Sequence, residues 1–140
     1  MGTKCLTYVF DEECKPIVCV LRRFDGYPEG HGEDLKLILS GIPIVGGLPL
    51  GKKNRLLFNG MEELAALLVY RLKDQNPYGN VYLVPPVWPP EDYGQDYIWV
   101  VLGRVGECAT VYYTHACNIK WHHWFGPQVD LARRGFPFAI

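Results

Sequence analysis

The order of strand-like and helix-like runs predicts an α+β fold. Two runs rich in β-forming residues open the chain, two helical runs follow, and three more β-rich runs come after them. Strands joined by tight turns, with the helices grouped between them, predict an antiparallel sheet with both helices on one face. The expected order is β-β-α-α-β-β-β in a five-stranded, mainly antiparallel sheet. Nothing in the chain alternates strand and helix as a doubly wound fold requires. A length of 140 residues fits one domain spanning 1–140. Apolar residues at 49 % and aromatics at 14 % supply its core.

Residues 4–10 and 16–24 are rich in Val, Leu, Ile, Tyr and Phe. Asp11-Glu12-Glu13-Cys14-Lys15 between them is a polar turn, so the pair predicts a β-hairpin. In the second strand Ile17, Cys19, Leu21 and Arg23 share one face, and Val18, Val20, Arg22 and Phe24 the other. Both faces stay apolar until the arginines, which predicts an interior strand. Leu35, Ile38 and Leu39 give a short helix over 33–40, stopped by Gly41. A Pro- and Gly-rich loop covers 42–55 and ends in Lys52-Lys53-Asn54-Arg55. Leu64, Leu67, Leu68 and Leu72 stripe a second helix over 61–74, and Asn59 with Glu62 resembles a capping box.

The third strand is 81–84, closed by Pro85-Pro86. Strands four and five cover 97–105 and 108–115, with Gly106-Glu107 as a tight turn, glycine first. Glu91, Asp92 and Asp96 in the intervening loop read as solvated acids rather than an acid-base pair. The tail, 118–140, carries Trp121, Trp124, Phe125, Phe136 and Phe138, which predicts that it packs back on the sheet.

Charge narrows the function. Charged residues are 21 % of the chain and the formal net charge is -1, so a general nucleic-acid binder, which needs a basic surface, is not expected. The N-terminus has no apolar signal core, Leu6 stands where a myristoylation signal needs Ser or Thr, and no apolar run spans a bilayer. A soluble, cytoplasmic protein is the expectation. Five cysteines, an odd number without a Cys-x-x-Cys pair, predict reduced thiols and no zinc knuckle.

The junction from Arg22 to Asp34 concentrates candidate site residues. Gly26, Gly30 and Gly32 let backbone amides approach a ligand, and the helix start that follows favours an anion. Arg22 and Arg23 would pair that anion, Tyr27 would stack on a ring, and His31 would donate or accept a hydrogen bond. Turn chemistry explains the glycines, Pro28 and Asp25 equally well, with Glu33 and Asp34 complementing the helix dipole. The expected ligand-binding set is therefore Arg22, Arg23, Asp25, Tyr27, Gly30, His31 and Gly32. A P-loop is excluded because its Lys-Ser/Thr ending is missing.

Asp25, Gly26, Tyr27, Pro28, Gly30 and Gly32 form Asp-Gly-Tyr-Pro-x-Gly-x-Gly after a β-hairpin and before a helix. This stretch resembles the junction of a group of small phage and bacterial proteins. The chain departs from that pattern just before it, with Arg22-Arg23-Phe24 where Tyr-Arg-His and an aromatic stand in the group. The resemblance covers the first third of the chain and implies a microbial or viral origin, with an accessory or host-interaction role.

Three other constellations carry chemistry. His115, Cys117, His122 and His123 are metal-ligating types, interleaved with Trp121 and Trp124. Adjacent histidines on a strand point to opposite faces, so Trp121 to Trp124 reads at least as well as an aromatic strand at a sheet edge. Any of the five thiols can meet a histidine in space as a nucleophile pair, and no local signature selects one. Lys52, Lys53 and Arg55 are a candidate phosphate loop, weighed against a solvated charge cluster.

The resulting expectation is a binding or accessory domain with no catalytic residues and no cofactor. Its partner is a small polar ligand, phosphate-bearing in one version, or a host protein; a homodimer through the aromatic tail is a further expectation. The rival is a metal- or His-dependent hydrolase using His31, His115, His122 or His123.

Overall fold

A computed structural model describes residues 2–47, 56–118, 120–131 and 133. The first hairpin joins β1 (Cys5–Phe10) to β2 (Pro16–Arg22). Asp11 builds its turn, because Oδ1 accepts from the N–H groups of Glu13 and Lys15, both at 2.9 Å. One π-helical turn (Pro28–Gly32) runs directly into α1 (Glu33–Leu39). A parallel bridge of β3 (Ile44–Val45) with β4 (Phe58–Asn59) leads into α2 (Met61–Gln75). The chain then forms β5 (Val81–Val84), β6 (Tyr97–Leu102), β7 (Thr110–His115) and β8 (His122–Phe125).

The fold is α+β as expected, and the main sheet has six strands rather than five, in the order β5-β2-β1-β6-β7-β8. The added strand is β8, the aromatic stretch weighed above as a sheet edge. All neighbours are antiparallel except β1 and β6, which are parallel. The parallel pair has a topological cause. β5 lies outside β2 and β6 beyond β1, and both run in the direction of β1. A connection between strands of one direction must cross a face of the sheet. Residues 85–96 make that crossing. Trp88 packs edge-on against Tyr8 (4.9 Å between ring centroids) and Phe10 (5.4 Å). Glu91, Asp92 and Asp96 are exposed, while the apolar members of the same loop cover the sheet.

Both faces are therefore covered. Leu35, Ile38 and Leu39 of α1 and Leu64, Leu68 and Leu72 of α2 meet Val9, Val20 and Trp99 on one face. On the other, Leu6, Tyr8, Val100 and Tyr112 are packed by Trp88, Tyr93, Trp121, Val129 and Leu131. The described part of the tail thus packs back on the sheet; Phe136 and Phe138 lie outside the described residues. No described helix is long and apolar enough to cross a membrane.

Two local expectations are corrected. Gly60, at φ +86°, precedes α2 without a side-chain cap, and Glu12 accepts from Met61 N–H at 3.3 Å. Asn59 instead donates its N–H to Glu63 at 2.9 Å and accepts from Gly47 N–H at 2.7 Å, so it braces the preceding bridge. The turn after β6 is centred on Val105-Gly106, closed by Glu107 N–H donating to Arg104 O at 3.1 Å. Gly106 is its second central residue, at φ +94°, a conformation that favours glycine. The outer end of this hairpin leaves the ladder to pair with Ile44, through Gly106 N–H (2.8 Å) and Ile44 N–H (2.9 Å).

Candidate functional site

The junction after β2 is a packed wedge. Asp25 takes φ +62°, turning the chain so that its carbonyl accepts from His31 N–H at 2.9 Å. Pro28 opens the π-helical turn, where its missing N–H costs nothing. Two indoles clamp the wedge to the sheet: Trp99 Nε1 donates to Gly26 O (3.0 Å) and Trp124 Nε1 to Gly32 O (2.8 Å). The glycines are required by this proximity. A Cβ at Gly32 would lie 2.6 Å from Trp124 and 2.7 Å from Trp99, and one at Gly30 2.7 Å from Asp25 O.

A chain of polar side chains runs beneath the wedge. Arg22, on the face of β2 shared with Val18 and Val20, sits opposite Cys5 and is 4 % exposed. Its Nη1 donates to Asp34 Oδ2 (2.6 Å) and to His31 Nδ1 (3.1 Å), and its Nε to Phe24 O (2.7 Å). A guanidinium can only donate, so Nδ1 is the acceptor and Nε2 carries the ring hydrogen. Nε2 donates to Thr7 Oγ1 at 2.6 Å. His31 has no exposed surface; its burial, with the charge of Arg22 added, holds its pKa well below the usual imidazole range. Burial likewise pushes the Cys5 and Cys19 thiols up to about 12, which keeps them as unreactive thiols.

The structure therefore brings Arg22 and His31 together, in the interior and bonded to protein groups. Arg23 and Tyr27 lie elsewhere. Arg23 anchors its N–H on Asn80 and sends its side chain outward, lining a cavity of about 420 Å³ with Lys4, Phe24 and Asp96. Tyr27 is exposed, and its hydroxyl donates to Asp25 Oδ1 at 3.2 Å. Lys52, Lys53 and Arg55 lie outside the described residues.

A different surface gathers the chemistry. Between the outer side of the wedge and the ends of β6, β7 and β8 lies a cleft of about 460 Å³. Pro28 and Glu29 form one wall. The sheet wall is two cross-strand rows of rings. Tyr97 pairs with His115 at 4.8 Å between centroids, and Tyr113 stacks on His122 at 5.2 Å and 29°. These residues share a face because side chains alternate along each strand. The volume falls within the range of small-molecule sites.

Cys117 and Asn118 close the end of the cleft. They belong to a turn in which Asn118 N–H donates to His115 O at 2.9 Å, which folds Cys117 back over the end of β7. Buried Thr114 fixes the turn, with Oγ1 2.8 Å from Asn118 O and 2.9 Å from Lys120 O. Cys117 Sγ then lies 3.2 Å from His115 Nδ1, and both residues are exposed. His123 is on the opposite face against Tyr112, as adjacent strand residues must be. Among the described residues, no three His, Cys, Asp or Glu side chains are placed to hold one metal ion.

Sequence reasoning named His115, Cys117 and His122 but not Glu29, Tyr97, Tyr113 or Asn118. The available signal was the i, i+2 spacing of rings in two strands, Tyr97 with Trp99 and Tyr113 with His115. It marks a shared aromatic face, and it becomes a site only once β6, β7 and β8 are known to be neighbours. Compared with protein-family models, curated proteins and solved structures, the chain matches none.

Proposed function

We propose that the protein is a small binding domain whose ligand is a planar, polar small molecule held in the cleft beneath Pro28 and Glu29. The observation that carries this reading is the pair of cross-strand ring rows, Tyr97–His115 and Tyr113–His122, facing one cavity of about 460 Å³. Stacked rings bind flat molecules, and His115, Asn118 and His122 supply hydrogen bonds that orient them. The buried Arg22–His31–Thr7 chain serves this reading by holding the wedge that forms the wall. An accessory role of phage or bacterial type, in a cytoplasmic setting, belongs to the same proposal and rests on the junction's resemblance. So does a homodimer through the tail, which a purely monomeric sedimentation profile at micromolar concentration would remove.

The experiment is a thermal-shift screen against nucleotides and small metabolites. A ligand at 100 times its Kd stabilises by about 2.7 kcal/mol, which for a chain of this size raises Tm by several degrees. A flat panel moves the proposal to a protein partner. The hydrolase rival is favoured by one observation, the contact between Cys117 and His115.

A further inference from the structure

Cys117 differs from the other four thiols. Cys5 and Cys19 are buried, Cys14 and Cys108 are partly covered, and Cys117 is exposed. It alone lines the main cleft, beside an imidazole at hydrogen-bond distance. A thiol becomes a nucleophile as the thiolate, and a neighbouring base that accepts its proton is what activates it.

We infer that Cys117 and His115 are a nucleophile–base pair that cleaves an acyl ester bound in the cleft, with an aromatic alcohol as the leaving group. The inference rests on the cleft reading above and adds a reaction to it. His115 Nδ1 takes the thiol proton while Nε2 keeps its hydrogen. The sulfur pair of Cys117 bonds to the acyl carbon, and the carbonyl π pair moves to oxygen. Collapse of that oxyanion breaks the carbon–oxygen ester bond. The departing phenolate oxygen receives the proton held by His115, and the acyl group stays on sulfur as a thioester. Water then adds to the thioester carbon as His115 takes its proton, and the carbon–sulfur bond breaks to release a carboxylic acid. The proton returns to Cys117.

The ring rows explain the leaving group, since Tyr113 and His122 offer a stacking surface for a phenol ring. Asn118 offers the oxyanion a donor. Its Oδ1 accepts from Lys120 N–H at 3.0 Å, leaving the Nδ2 hydrogens as the donor end of a carboxamide that lines the same cleft.

The probe is p-nitrophenyl acetate. Wild-type protein should release p-nitrophenol, and quenched samples should carry one acetyl group, mapped by peptide mass spectrometry to Cys117. Cys117→Ser should abolish acetylation, and His115→Gln should slow release by about 100-fold or more. His123→Gln, on the opposite face, should change neither. All three positions are exposed, so melting temperature verifies that each variant folds. Release by wild type no faster than by Cys117→Ser overturns the inference, as does acetyl found on another cysteine instead. Quenching of protein fluorescence by p-nitrophenol separates the two claims. Saturable binding that Tyr113→Ala removes, without ester cleavage, leaves the cleft reading standing and the nucleophile pair refuted. Neither binding nor cleavage refutes the pair and the proposed class of ligand together.

Discussion

His31 is a neutral imidazole with no exposed surface, held by a cation on Nδ1 and a hydroxyl on Nε2. Protonating it would place a second positive charge 3.1 Å from Arg22 and remove the acceptor that Arg22 uses. Its folded-state pKa is therefore depressed, from burial first and from Arg22 second. The unfolded chain binds this proton near pH 6.5 while the folded protein does not, so stability is full above that pH and is lost as pH falls below it. One proton contributes a slope of at most about 1.4 kcal/mol per pH unit. His31→Gln should be less stable at pH 7 yet lose less on going to pH 5 than wild type. Urea denaturation at both pH values measures this, and parallel losses in the two proteins would contradict a buried neutral His31. Part of this arrangement was readable beforehand. The period of β2 puts Arg22 on the face of Val18 and Val20, and the turn residues between Arg22 and His31 bring the chain back. The burial of both was not readable, because it depends on Trp99 and Trp124, far away in sequence, closing over the wedge.

At the scale of elements, the wedge and the aromatic half of the sheet are one unit. Gly32 is where the two indoles meet the wedge, since a Cβ there would lie 2.6 Å from Trp124 and 2.7 Å from Trp99. Gly32→Ala must push Trp124 or Trp99 aside, at a cost of about 1–3 kcal/mol for overpacking a closed site. Equilibrium denaturation should show that loss, and a change under about 0.5 kcal/mol, the scale of surface substitutions, would mean the wedge is not clamped as described. The hairpin, both helices and β5 were legible because apolar period and turn residues act locally. Asp11 and Gly41 end their elements as their chemistry dictates. The parallel pairing of β1 with β6 was not legible, since a hydrophobic pattern shows which face is buried and not which strand lies beside it. β8 was ambiguous for a related reason. Its four residues, His122–Phe125, carry no alternation of polar and apolar side chains.

For the whole molecule, the sheet divides its faces between two covers and leaves one part of the helical face open. α1 and α2 cover the β2 and β1 side, and the crossing loop with the tail covers the other face. The ends of β6, β7 and β8 remain open beside the wedge, and the residues able to bind or react meet there. Composition pointed to no ligand because these rings are spread over three strands of the chain, β6, β7 and β8. The central claim is that this cleft is the binding site. The screen repeated on Tyr113→Ala tests it most directly, since Tyr113 contributes its ring to the cleft wall and is only partly buried. Any small molecule that raises the wild-type Tm should lose most of its shift in Tyr113→Ala while the variant still unfolds cooperatively. An undiminished shift in that variant would place the ligand elsewhere and contradict the account.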